Sequence, residues 1–98
     1  MGSPSDRRVT LRDDIEQARL DFIRTDLQVC ITLAWVAETA YDSGSREHAA
    51  RAIATAERGY SDLLRLFSQA KLLTPEAREE LQSTFKRLRE QLDGLQRA

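Results

Sequence analysis

Apolar residues recur at three- and four-residue intervals through most of the chain, which is the spacing of helices that bury one face. Nowhere do apolar and polar residues alternate with the β-branched enrichment and turn signals expected of a strand. The periodicity predicts helices over about 10–41, 46–70 and 75–95. Because both connections are short, neighbouring helices should run antiparallel. We therefore expect an all-α, up-down-up three-helix bundle with a long first helix.

Capping signals set the predicted boundaries. Thr10 precedes acidic residues that favour a helix start, and Gly44 can adopt the left-handed conformation that ends a helix. Ser45 is a suitable N-cap, and Thr74-Pro75 places a capping hydroxyl before a proline at the first helical position. On this basis residues 1–9 are a flexible leader and residues 10–98 form a single domain.

The second and third helices each carry one apolar stripe, which we expect to face the core. The stripe of the second helix comprises Ala49, Ala52, Ile53, Ala56, Tyr60, Leu63, Phe67 and Ala70. The stripe of the third helix comprises Ala77, Leu81, Phe85, Leu88, Leu92 and Leu95.

The first helix is apolar over more than half of its circumference, which is typical of a helix surrounded by partners. We expect two of its stripes to face the other helices: Leu11, Ile15, Ala18, Phe22, Val29, Leu33, Val36 and Ala40, and then Ile23, Cys30, Ala34, Ala37 and Tyr41. A further set remains: Leu20, Leu27, Ile31 and Trp35. We predict that this set binds a partner, either a second copy in a homodimer or a partner protein helix. The alternative is that the third helix covers most of the set and leaves Trp35 alone partly exposed.

Composition excludes several classes of function. The 98 residues suit one domain, and 15 basic against 16 acidic residues give a net charge of −1. This balance disfavours nucleic-acid binding. The longest uncharged run, Leu27–Ala37, is shorter than the roughly 20 residues of a membrane span. A single cysteine, Cys30, and no signal-type segment predict a cytoplasmic location. The basic run at residues 86–89 is expected to be a solvated face.

No metal-ligand pair occurs at helical spacing, and no cofactor signature or catalytic constellation is apparent. The segment from His48 to Ala54 is similar to the His-x-x-Lys-Gly-x-Ala motif of histidine phosphotransfer domains, with Arg51 in place of the lysine and Ala52 in place of the glycine. That resemblance implies phosphotransfer through His48. A phosphotransfer or ligand-binding helical domain, with a pocket beside Tyr41 and Tyr60, is therefore the alternative function.

A second resemblance covers residues 33–61. It is carried by the spacing of Leu33, Val36, Ala37, Ala40, Gly44, Ala49, Ile53 and Ala56. This pattern resembles the helical hairpin of tetratricopeptide repeats, in which small residues at the positions of Ala37, Ala49 and Ala56 allow close helix packing. Ser61 replaces the closing proline of that family, and no second repeat follows. The resemblance implies a three-helix module of the microtubule-interacting-and-trafficking type, which binds partner helices. We therefore expect a non-enzymatic helical interaction module.

Overall fold

The computed structural model describes the backbone of residues 4–97 and the side chains of residues 14–97. It contains three helices: α1 (Pro4–Asp42), α2 (Arg46–Gln69) and α3 (Pro75–Arg97). The described residues contain no strand, and the helices form an all-α bundle with a long first helix, so the predicted fold class is confirmed.

The start of α1 differs from the prediction. The helix begins at Pro4 rather than near Thr10, so residues 4–9 of the predicted leader are helical, while residues 1–3 lie outside the described part. Ser3-Pro4-Ser5-Asp6 contains a hydroxyl, a proline and an acid in the order found at the start of α3, and this pattern favours a helix that begins at Pro4. With 39 residues α1 is about 58 Å long, against about 36 Å for α2. Its N-terminal part therefore extends beyond the bundle, and the molecule measures 63 × 20 × 16 Å.

The two turns use the predicted residues in part. Gly44 has a φ of +83°, and its N–H donates to the carbonyl of Tyr41 at 3.0 Å, which ends α1 in the expected left-handed conformation. Ser45 occupies the N-cap position of α2 without a side-chain capping hydrogen bond. At the start of α3 the Thr74 hydroxyl accepts a hydrogen bond from the Ala77 N–H at 3.1 Å, as the capping signal predicted.

The core is built from the stripes predicted for α2 and α3. Every member of both stripes is buried except Tyr60, which is partly buried. The Phe85 ring lies between two aromatic rings of α2, with centroid distances of 5.7 Å to Tyr60 and 5.3 Å to Phe67. These contacts attach α3 to the second half of α2.

Small residues bring α1 and α2 close together. Ala37, Ala49 and Ala56 are fully buried. A Cβ atom added to Gly59 would lie only 2.6 Å from the Cys30 sulfur, so even an alanine there would force that sulfur or the two helices to shift.

The basic run of α3 is solvated as expected at Lys86 and Arg87, which are exposed, but not at Arg89. Arg89, part of the basic run expected to be solvated, is partly buried and donates two hydrogen bonds to Glu57 of α2, at 2.8 and 2.5 Å. It also contacts Asp93 at 2.8 Å. The hydrogen bonds from Arg89 lower the pKa of Glu57 below its ordinary value, so this ion pair joins α2 to α3.

Candidate partner-binding surface

The predicted partner-binding set is mostly inside the bundle. Leu20 and Leu27 are buried and Ile31 is partly buried, so their placement on an outer face is wrong. The side of α1 that carries them is covered by α3: Arg24, one turn from Leu20, donates a 2.6 Å hydrogen bond to Glu80 of α3. Of the four residues only Trp35 is exposed, by 69%. The structure therefore has the arrangement given above as the alternative, in which the third helix covers most of this set and leaves Trp35 exposed.

Apart from Ala40, the buried residues in the described part of α1 belong to a single series with spacings of three and four residues. This series, named here the inner seam, consists of Leu20, Ile23, Leu27, Cys30, Ala34, Ala37 and Tyr41. All members are buried except Tyr41, which is partly buried. The sequence pattern assigns Leu20 and Leu27 to the partner-binding face and the other five members to a face that contacts the other helices.

A second apolar series on α1 is exposed. Its members are Ile15, Phe22, Val29 and Val36, named here the outer seam, with exposed fractions of 59, 50, 52 and 38%. They are seven residues apart, so they share one face of the helix. They belong to the stripe predicted to face α2 and α3, and that prediction is wrong for these four and for Ala18, which is also exposed. Leu33 of that stripe is partly buried against the core, and the side chain of Leu11 lies outside the described residues. In the same stripe Ala40 is buried, because the C-terminal end of α1 packs against the start of α2.

The positions three residues after each outer-seam residue are small: Ala18, Thr25, Thr32 and Thr39. All four are exposed. The Thr32 hydroxyl donates to the carbonyl of Gln28 at 2.9 Å, and the Thr39 hydroxyl donates to that of Trp35 at 3.1 Å. Because α1 itself satisfies these two hydroxyls as donors, burying Thr32 and Thr39 against a partner would leave neither donor unpaired. Together the eight positions have the alternating spacing of a coiled-coil contact face.

The outer seam ends in an open hollow of about 280 Å³ between α1 and α2. Trp35, Val36, Thr39 and Ala40 line it from α1, and His48 lines it from α2. The lining on the α1 side is largely apolar, so this end of the seam offers a concave site for an apolar side chain.

His48 is exposed and is the third residue of α2, at a helix start rather than in the middle of a helix face. The predicted pocket beside both tyrosines does not take that form. Tyr41 lines a hollow with Glu90 and Leu95 of α3, whereas the Tyr60 ring packs edge-on against Phe85.

The other candidate groups have structural roles. Cys30 is buried, and this burial raises the pKa of its thiol, which disfavours the nucleophilic thiolate. Among the described residues no three His, Cys, Asp or Glu side chains come together as metal ligands could. None of the described helices combines the length and the apolar character that crossing a bilayer requires.

No family model, curated protein or solved structure matches the chain.

Proposed function

We propose that this protein is a non-enzymatic helical interaction module that self-associates by packing the outer seam of α1 against another helix. The observation that carries the proposal is the exposure of four large apolar side chains at seven-residue spacing. From Ile15 to Val36 they extend about 30 Å along one face. Contiguous exposed apolar surface of this kind marks contact sites in soluble proteins.

The spacing indicates a helix as the partner. Apolar positions that alternate at three and four residues fit the holes of a facing helix along its whole length. The four side chains are about half exposed, and burying each remaining half contributes about 1 kcal/mol. Two copies would gain roughly 8 kcal/mol, from which the loss of translational and rotational freedom is subtracted. Because that loss costs at least about 4 kcal/mol, these four side chains alone support only a millimolar dimer. Association at micromolar concentration therefore requires burial of the smaller seam residues and Trp35 as well.

The other functions predicted from the sequence receive less support. Phosphotransfer would require His48 in the middle of an exposed helix face, and it lies in the first turn of α2. The similarity to repeat-type hairpins is compatible with helix binding, and the buried alanines of α1 and α2 agree with its small-residue positions. A cytoplasmic location and the absence of nucleic-acid partners stay predictions from composition.

Sedimentation velocity over a range from low to high micromolar concentration tests the proposal. We expect the sedimentation coefficient to rise with concentration from a monomer value to a dimer value. Trp35 is the only tryptophan and is exposed beside the seam, so its emission should shift to shorter wavelength over the same range. A chain that remains monomeric at high micromolar concentration, with unchanged emission, would reject self-association.

A further inference from the structure

We infer that the occupant of the outer seam is a second copy of this chain running antiparallel, with Ile15 of each copy level with Thr39 of the other. The inference rests on the proposed function and specifies the partner and its orientation. Two independent features support it: the sizes of the side chains along the seam, and the position of the hollow at its C-terminal end.

Side-chain size alternates along α1. The outer-seam positions hold Ile15, Phe22, Val29 and Val36, whereas the positions three residues later hold only alanine and threonine. In a parallel dimer each layer pairs a residue with its own copy. Phe22 would then meet Phe22, and Ala18 would meet Ala18 only about 6 Å away along the axis. A wide Phe22 layer would then lie between narrow Ala18 and Thr25 layers, and two helices with one axis separation cannot pack well against both.

An antiparallel dimer removes this conflict, because each large position then faces a small position of the other copy. In this register, the numbers of any two residues that face each other, one from each copy, add up to 54. The four distinct layers pair Ile15 with Thr39, Ala18 with Val36, Phe22 with Thr32, and Thr25 with Val29. The largest side chain, Phe22, then faces a threonine, and the smallest, Ala18, faces a valine, so one axis separation suits the whole contact.

The hollow gives the second argument. Val36 and Thr39 line it, and in this register they are the residues nearest to Ile15 of the second copy. Ile15 is the most exposed member of the outer seam, at the end of α1 that leads into the overhang. The antiparallel arrangement therefore brings the most exposed apolar side chain of one copy to the concave site of the other, at both ends of the dimer. In a parallel dimer the two hollows would instead lie against each other, and Ile15 would lie far from both.

Charge does not choose between the two orientations. Parallel helices bring Asp21 near Asp26 of the other copy, and antiparallel helices bring the two copies of Asp26 together near the two-fold axis. Each arrangement thus contains a like-charge contact at the flank, and the complementarity of side-chain size decides.

Cross-linking of two single-substitution variants tests the orientation. Gln28 and Thr32 are both exposed positions near the seam. In the antiparallel register the two copies of residue 28 lie on the same flank of the dimer. Along the dimer axis they are separated by the rise of two residues, or about 3 Å. The two copies of residue 32 are separated along the same axis by the rise of ten residues, or about 15 Å. A parallel dimer places the two copies of residue 32 directly opposite each other and the two copies of residue 28 on opposite flanks.

The experiment treats Gln28→Cys and Thr32→Cys with a short bifunctional maleimide at a concentration where sedimentation shows dimers. The wild-type protein is the control, because its only cysteine, Cys30, is buried. We expect at least tenfold more covalent dimer for Gln28→Cys than for Thr32→Cys. Equal yields or the reverse order would overturn the antiparallel inference and leave the proposed function standing. A dimer that neither variant captures would overturn the use of this face, and a chain that stays monomeric would overturn the proposed function itself.

Discussion

The close approach of α1 and α2 at Gly59 gives a quantitative test of the packing. In the interior of an exposed helix, replacing glycine by alanine stabilises a protein by about 1 kcal/mol. At Gly59 the new Cβ would lie 2.6 Å from the Cys30 sulfur, well inside van der Waals contact. Overpacking of this kind costs about 1–3 kcal/mol, since either the buried sulfur or the two helix backbones must move. We expect Gly59→Ala to lower the free energy of unfolding by about 1 kcal/mol net.

A matched control is present on α3. Gly94 is also helical, and a Cβ added there meets no atom within 4 Å. Gly94→Ala should therefore stabilise the protein by up to about 1 kcal/mol, less if the helix end frays. Urea unfolding followed by circular dichroism, at a concentration where the chain is monomeric, measures both variants. In a Cys30→Ala background the destabilising effect of Gly59→Ala should largely disappear, because the atom it meets has been removed. If Gly59→Ala stabilised the wild-type protein as much as Gly94→Ala does, the inferred contact would be refuted.

Two further predictions concern polar contacts. Glu57→Gln should lower the free energy of unfolding by about 1 kcal/mol at pH 7, because it weakens the ion pair with Arg89. Since the pKa of Glu57 is lowered on folding, its contribution is present above the ordinary glutamate value and is lost as pH falls below it. Urea titrations from pH 7 to pH 3 should therefore show the gap between wild type and variant closing, and a constant gap would contradict the assignment. Thr74→Ala should cost about 1 kcal/mol through loss of the α3 cap, whereas Thr74→Ser should cost much less in the same assay.

Much of the architecture follows from local pattern. The stripes of α2 and α3 are single and narrow, so their periodicity identified the core residues directly. The turn at Gly44 and the cap at Thr74 depend on side chains with few alternative roles. The early start of α1 could have been found from Ser3-Pro4, which repeats the signal at Thr74-Pro75.

Which face of α1 is buried is harder to predict from the sequence, because both of its seams are apolar. One signal separates them. Every position of the inner seam is apolar, whereas the outer seam alternates with threonine at residues 25, 32 and 39. A face that must exclude water completely tolerates fewer hydroxyls than one that becomes buried only on association. The interhelical role of Arg89 gave no such signal, since its partner Glu57 is 32 residues away and only the packing of α2 against α3 brings them together.

The central claim is that the outer seam of α1 mediates self-association, and one comparison tests it directly. Val29 and Leu64 are exposed helical side chains, by 52 and 40%, and either can accept a charge without filling the core. Leu64 lies on α2 and is therefore outside the outer seam, which belongs entirely to α1. Sedimentation equilibrium of Val29→Asp and Leu64→Asp should show association at least tenfold weaker for the first variant and unchanged for the second. Equal association by both variants would contradict the account.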